Sequence, residues 1–102
     1  MLKKEYLKQI EDTYKECLMI VDKKNSDYAS VDDQFKNFRT SEVVGVSIDR
    51  AILVRIMDKI SRISNLLDRD AVVLDEKIED TLCDAINYLA ILKTYLYEKR
   101  NK

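Results

Sequence analysis

The 102-residue sequence contains no histidine, no proline and a single glycine, Gly45. Without His, the chain cannot build His-based acid–base catalysis, a catalytic triad or a His metal site. With one glycine it cannot form the glycine-rich phosphate loops of Walker or dinucleotide-binding proteins. A β-rich fold, which uses Gly and Pro in its turns, is also disfavoured. These absences favour an all-α protein whose chemistry depends on its charged side chains.

Charge excess and long apolar runs are missing as well. The chain has 18 basic and 19 acidic residues, a net charge of −1, whereas nucleic-acid binding requires a basic excess, so we expect no nucleic-acid partner. The charged segment 1–12 predicts no signal peptide, and apolar runs of four or five residues predict no membrane span. Cys17 and Cys83 lack metal or disulfide spacing, which indicates buried thiols and a cytoplasmic protein.

Apolar residues at three- and four-residue spacing predict a single domain, a small bundle of three long helices at about 2–23, 48–69 and 75–100. An ordered aromatic and polar loop, 24–46, joins the first two helices and includes a short helical turn near Phe35 to Arg39. Ser47 or Asp49 is the candidate N-cap of the second helix, and Asp75 that of the third.

Each predicted helix has an apolar seam. The seam residues are Leu2, Tyr6, Ile10, Tyr14, Cys17, Leu18 and Val21 in the first helix, Ile52, Ile56, Ile60, Ile63 and Leu67 in the second, and Ile78, Leu82, Ala85, Leu89, Leu92 and Leu96 in the third. Three helices bury little area for a chain of this length, so we expect a homodimer or homotetramer.

The polar side of the third helix carries a stripe of carboxylates. Glu76, Asp80 and Asp84 follow one another at four-residue spacing, with Asn87 on the same side. Like charges in this arrangement repel, and a hard cation such as Mg²⁺ would relieve the repulsion. The alternative is that these carboxylates are solvated or paired with basic residues of the second helix.

The second helix carries cations at matching spacing. Arg55, Lys59 and Arg62 can converge on one anion, and the guanidinium fork suits phosphate oxygens. The alternative is again a solvated or salt-bridged helix face.

The predicted loop interleaves aromatic and polar side chains. Tyr28, Phe35 and Phe38 could stack on a base, while Asn37 and Arg39 could contact a base edge or a phosphate. Alternatively, the phenylalanines fasten the loop onto the bundle, which we favour for at least one of them.

Taken in order, several short motifs resemble a known family. They are Asp27-Tyr28, the Phe35 to Arg39 run, Asp58-Lys59 with Arg62 and Asn65, and the run from Asp75 to Tyr88. Across about residues 25–92 the chain resembles the nucleotide-modification-associated domain of the first type, which is frequent in phages and prophages. That family is distantly similar to the MazG-like all-α nucleoside triphosphate pyrophosphatases. The resemblance implies a nucleotide ligand and, for a phage-encoded chain, a place in the host cytosol.

In the MazG-like enzymes, carboxylates of two helices hold Mg²⁺, and by resemblance Asp58, Glu76, Glu79, Asp80 and Asp84 would be the ligands here. The chain departs from that pattern because Lys59 and Arg62 stand where two glutamates would be needed. Adjacent cations would repel divalent ions and neutralise the same carboxylates. The resemblance therefore supports nucleotide binding, with no cofactor required, more strongly than it supports hydrolysis.

Three functional hypotheses follow from the sequence. The first is a phage-type protein that captures a phosphorylated nucleotide between helices, in one form a sponge that sequesters a cyclic-nucleotide immune signal as an anti-defence protein. The second is a Mg²⁺-dependent pyrophosphohydrolase acting on a modified or ordinary nucleoside triphosphate. The third is a helical interaction protein without a small-molecule ligand.

Overall fold

A computed structural model describes residues 1–28, 33–69 and 71–102. For residues 26–28 and 71–77 it describes the backbone and not the side chains. Helix α1 spans Lys3–Tyr28, α2 is the single turn Lys36–Arg39, α3 spans Ile48–Leu67 and α4 spans Ala71–Arg100. A 3₁₀ turn, Thr40–Val44, follows α2 directly. The described ranges contain no strand, so the all-α prediction is confirmed. None of the helices in these ranges combines the length and apolarity that crossing a membrane would require.

The helix bounds differ from the predicted ones at two places. The segment predicted as loop 24–46 is largely helical, because α1 continues to Tyr28 and because α2 and the 3₁₀ turn fill much of the remainder. Side-chain contacts hold this extension of α1, since Lys24 and Asn25 bond to residues outside the helix. Helix α4 begins one turn before the predicted residue 75, which places the candidate N-cap Asp75 inside the helix.

Gly45 ends the 3₁₀ turn. Its backbone has φ of 79°, in the left-handed region that glycine adopts without a steric penalty. The Gly45 N–H donates to the Glu42 carbonyl at 3.1 Å, and the Val46 N–H donates to the Ser41 carbonyl at 3.0 Å. These bonds end the 3₁₀ turn, and α3 then begins at Ile48 after an extended Ser47.

The apolar core lies between α2, α3 and α4. Its buried members are Phe35, Phe38, Ile48, Ile52 and Ile56, and partly buried Tyr88, Ile91, Leu92 and Tyr95 of α4 pack against them. Two ring pairs pack edge to face across this contact, with 5.3 Å between the centroids of Phe35 and Tyr95 and 6.4 Å between those of Phe38 and Tyr88. Burial of one such large side chain contributes about 1.5–3 kcal/mol. The core therefore fixes α2 against the α3–α4 pair.

The buried stripe of α3 deviates from the predicted seam in its second half. Ile60 and Leu67 are exposed, whereas Leu66 is buried and Lys59 is half-buried. The inward side chains follow alternating spacings of four and three residues, the period that keeps a stripe facing one neighbouring helix. Because of this period, Lys59 takes the inward place that had been assigned to Ile60.

Helix α1 packs on α4 through its second half. Cys17 and Cys83 are buried, and the Asn87 side-chain amide donates to the Cys17 carbonyl at 3.0 Å. Asn87 is predicted on the polar side of the third helix, but it is buried. Leu82 and Leu89 are predicted in the apolar seam, but they are exposed. The reason is that α4 has neighbours on two sides, so its buried face turns toward both α1 and α3.

Candidate functional site

A cleft of about 980 Å³ opens between α1, α2 and α4. Apolar atoms supply most of its lining surface, with contributions from Phe35, Phe38, Tyr88 and Ile91, although about half of the lining residues are polar or charged. Protein sites for small ligands have about this volume and a largely apolar surface with placed polar groups. The cleft is therefore the candidate binding site.

Two lysines from different helices converge on one carboxylate at the edge of this cleft. The Lys24 ammonium of α1 lies 2.8 Å from Asp84 Oδ1, and the Lys59 ammonium of α3 lies 3.1 Å from Asp84 Oδ2. Asp84 belongs to α4, so this three-residue contact, here the Lys24–Asp84–Lys59 bridge, ties α1, α3 and α4 together. Part of the carboxylate stripe thus pairs with the second predicted helix, which was one of the two alternatives for it.

The bridge affects the pKa values of Asp84 and Lys24. Partial burial would raise the pKa of Asp84, but the hydrogen bonds and charges of Lys24 and Lys59 outweigh it and hold the pKa below its ordinary value. The hydrogen bond to Asp84 raises the pKa of Lys24. Both groups are consequently charged over the whole neutral range, and the bridge carries one net positive charge.

Two polar contacts fix the segment around α2. The Asn25 side-chain amide donates to the Gln34 side-chain oxygen and links the end of α1 to the segment before α2. Arg39 makes a two-pronged contact with Asp33, with Nε at 2.6 Å from Oδ2 and Nη2 at 3.0 Å from Oδ1. The Arg39 hydrogen bonds lower the pKa of Asp33, and Asp33 also accepts the Phe35 N–H at 3.1 Å. Arg39 thus stabilises the α2 turn and is absent from the cleft lining.

The loop residues proposed from sequence have different positions. Phe35 and Phe38 are both buried and fasten α2 to α4, although each also borders the cleft, and Asn37 is exposed in the lining. The Tyr28 side chain lies outside the described residues. Fastening by the phenylalanines was the alternative to base stacking, and the ring contacts with Tyr88 and Tyr95 have that geometry.

The three α3 cations proposed from the sequence lie in different surroundings. Arg55 lines the cleft and forms no ion pair with any carboxylate in the described part of the chain. Lys59 is held by Asp84, and Arg62 is exposed outside the cleft lining. Of these three cations, Arg55 alone lines the cleft without an ion pair to a described carboxylate.

The proposed metal ligands do not form a cage. Asp58, Glu79 and Asp80 are exposed, Asp84 is bound to two ammonium groups, and the Glu76 side chain lies outside the described residues. No group of three acidic, Cys or His side chains suited to a metal ion occurs among the residues with described positions. A divalent ion at Asp84 would have to displace a lysine, so the described carboxylates do not fit the Mg²⁺ site that the resemblance implied.

Two thiols face each other across the contact of α1 and α4. Burial, together with the contact with Cys17, raises the pKa of the Cys83 thiol to about 12. The thiolate is the reactive form of cysteine, so Cys83 is unreactive in the folded protein. Both thiols are free, and they act as small apolar packing groups.

Sequence patterns did not identify the contribution of α1 to the site. Lys24, Asn25 and Asp22 line the cleft from a segment that had been placed at or beyond the end of the first helix. Cys17, Val21 and Lys24 are spaced by four and three residues, so extending the helical period by one turn would have placed Lys24 on the inward face. Asn87 was missed because a buried Asn cannot be told from an exposed one by spacing alone.

No family model, curated protein or solved structure matches this chain. The functional argument therefore depends on the cleft and its side chains.

Proposed function

We propose that the cleft between α1, α2 and α4 binds a phosphorylated nucleotide and that the protein captures this ligand intact. The observation that carries the proposal is the combination of an apolar, partly aromatic cleft with Arg55, a cation that has no described carboxylate partner. An aromatic base needs apolar contact area, and a phosphate needs a cation that is not already neutralised. The resemblance to a phage-borne nucleotide-associated family points to the same ligand class.

The Lys24–Asp84–Lys59 bridge favours capture over hydrolysis. Two lysines neutralise the carboxylate that would be central to a metal site, and the bridge keeps one net positive charge beside the cleft. This charge attracts phosphate without a metal ion. A sponge that withdraws a cyclic-nucleotide signal fits this arrangement, as does a carrier for a linear nucleotide.

The test is a binding panel of nucleoside triphosphates, monophosphates and cyclic dinucleotides, measured by calorimetry and by thermal shift in Mg²⁺ and in EDTA. We expect at least one nucleotide to raise the melting temperature equally in both buffers and to be recovered intact after heat denaturation. Mg²⁺-dependent release of pyrophosphate, lost in Asp84→Asn, would instead establish the pyrophosphohydrolase. If no nucleotide binds, the proposal fails and the interaction-protein hypothesis remains.

Arg55→Glu provides the residue-level test. This variant replaces one charge-assisted contact to phosphate with a repulsion. We expect it to weaken nucleotide affinity by about 10- to 100-fold. Arg50→Glu is the matched control, since Arg50 is exposed on the same helix and does not line the cleft. Equal affinity losses in the two variants would indicate a general charge effect and would remove the case for a phosphate contact at Arg55.

A further inference from the structure

The first two-thirds of α1, with Leu2 just before it, exposes a row of large apolar side chains. Leu2, Tyr6, Ile10, Tyr14 and Leu18 are 79%, 56%, 39%, 63% and 66% exposed, respectively. We call this row the α1 ridge. All five are spaced by four residues, so they form one continuous ridge along the helix. No described part of the chain covers them, although side chains of this size are usually buried in a monomeric protein.

The chain as a whole has more surface than a compact monomer requires. Its accessible surface is 8240 Å², against about 6,000 Å² expected for a monomer of this mass. Its radius of gyration is 15.7 Å, against about 13 Å for a compact domain of 100 residues. A standard interface removes about 800 Å² from each partner. The excess therefore provides enough surface for one such interface.

The α1 ridge is symmetric about Ile10. Counting outward from Ile10, tyrosines lie four residues away on both sides, and leucines lie eight residues away on both sides. An antiparallel copy of α1 centred on Ile10 therefore places Ile10 against Ile10, each Tyr6 beside a Tyr14 and each Leu2 beside a Leu18. Ridges of this four-residue type pack side by side when two helices cross at about −50°. This is the self-complementary contact that a two-fold dimer requires.

The charges along α1 favour the same antiparallel orientation. Segment 3–8 contains three lysines and one glutamate, and segment 11–16 contains three carboxylates and one lysine. In an antiparallel pair the basic segment of each helix lies opposite the acidic segment of the other. Two packed helices lie 8–10 Å apart, about one Debye length, so this attraction is only partly screened. A parallel pair would instead place like charges side by side.

We infer that a second copy of this chain covers the α1 ridge, through an antiparallel α1–α1 contact centred on Ile10. Leu18 belongs both to the ridge and to the cleft lining, so the dimer contact reaches one edge of the cleft, whereas Lys24 and Asn25 lie beyond the ridge at the end of α1. The inference does not depend on what the cleft binds.

The first test is the mass of the intact protein by sedimentation equilibrium across a concentration series. We expect twice the chain mass of 12.0 kDa. Tyr14→Lys should raise the dimer dissociation constant by about 100-fold or more, because a charged group would enter the apolar contact next to its central Ile10 pair. Tyr6→Lys is the second variant, and circular dichroism checks that each remains helical. A monomeric wild-type chain, or a dimer that persists in both variants, would overturn the inference.

Met57→Lys is the matched control. Met57 is 57% exposed on α3, where Leu53, Val54 and Ile60 form another exposed apolar patch. The control should retain the dimer. If Met57→Lys dissociates it and Tyr14→Lys does not, the second copy binds the α3 patch and the α1 assignment is wrong.

Cysteine cross-linking tests the orientation. In the proposed dimer only position 10 meets itself, so Ile10→Cys should form a covalent dimer under glutathione disulfide whereas Tyr6→Cys alone should not. A mixture of Tyr6→Cys with Tyr14→Cys should form the mixed dimer. The unmodified chain is the control for Cys17 and Cys83, which are both buried. Self-linking of Tyr6→Cys equal to that of Ile10→Cys would show a parallel pair and overturn the antiparallel arrangement.

Discussion

The contact of α2 and α3 with α4 and the contact of α1 with α4 are built from different side chains. The first consists of aliphatic and aromatic residues around the fully buried Ile52. The second depends on two thiols, the Asn87 amide and the Lys24–Asp84 ion pair, the part of the bridge that joins α1 to α4. Apolar burial is non-directional and insensitive to pH, whereas hydrogen bonds and ion pairs require defined geometry and protonation states. The fold thus joins a robust hairpin of α3 and α4 to a first helix whose attachment is specific but weaker.

Truncation of the apolar core should have the largest effect. Ile52→Ala removes the most buried side chain and leaves a cavity among Phe35, Phe38 and Ile56. We expect the free energy of unfolding to fall by about 2–5 kcal/mol, measured by urea denaturation. The loss should affect α3 and α4 together. A loss below about 1 kcal/mol, typical of a surface substitution, would show that this contact is not the stabilising core.

Neutralising the bridge should have an intermediate effect, confined mainly to α1. Asp84→Asn leaves Lys24 and Lys59 close together without their shared counter-charge. The bridge is partly solvated, so we expect a loss of about 1–2 kcal/mol rather than the larger value of a fully buried pair. Hydrogen exchange should become faster in α1 while α3 retains its protection. Equal acceleration in α1 and α3 would contradict a separate attachment of the first helix.

The bridge also predicts a pH window for the attachment of α1. The pKa of Asp84 is lowered in the folded protein, so its stabilisation is complete above about pH 4 and is lost as the pH falls through the lowered pKa. The pKa of Lys24 is raised, so its stabilisation is present below about pH 10 and is lost as the pH rises through the raised pKa. Asp84→Asn should remove the part of the acid dependence that Asp84 contributes. The measurement is the free energy of unfolding as a function of pH, compared between the unmodified protein and Asp84→Asn.

The smallest of these effects is expected at Asn87. Asn87→Ala removes the hydrogen bond to the Cys17 carbonyl, and this carbonyl keeps its place in the helical ladder of α1. We expect a loss of about 1 kcal/mol in urea denaturation. Thr94→Ala is the control, because the Thr94 hydroxyl bonds only within α4, to the Ala90 carbonyl at 2.8 Å. A loss as large as that of Ile52→Ala would mean that polar contacts dominate the fold.

The same contrast explains what could be predicted from the sequence. Ile52 and Ile56 were identified from periodicity because apolar spacing reports directly on burial against a neighbouring helix. Fastening of the loop by Phe35 or Phe38 was foreseen as an alternative, since large aromatic side chains in a short segment usually find a core. These features depend on local pattern and residue type alone.

The polar contact of α1 could not be predicted in this way. Lys24 and Lys59 have the composition of a solvated surface, and their roles depend on where a third helix places one carboxylate. The end of α1 was predicted too early because polar residues end an apolar pattern without ending the helix. The sequence identified both Arg55 and Lys59 as candidate phosphate-binding cations. Only the structure distinguishes them, because Asp84 neutralises Lys59.

The separation of the bonded groups along the chain has a consequence for folding order. Three residues separate the end of α3 from the start of α4, so that hairpin closes over a short loop. Lys24 and Asp84 are 60 positions apart, and Cys17 and Asn87 are 70 apart. Closing such long segments costs more chain entropy and is slower. The α3–α4 hairpin is therefore expected to form first, and α1 to dock onto a surface that already exists.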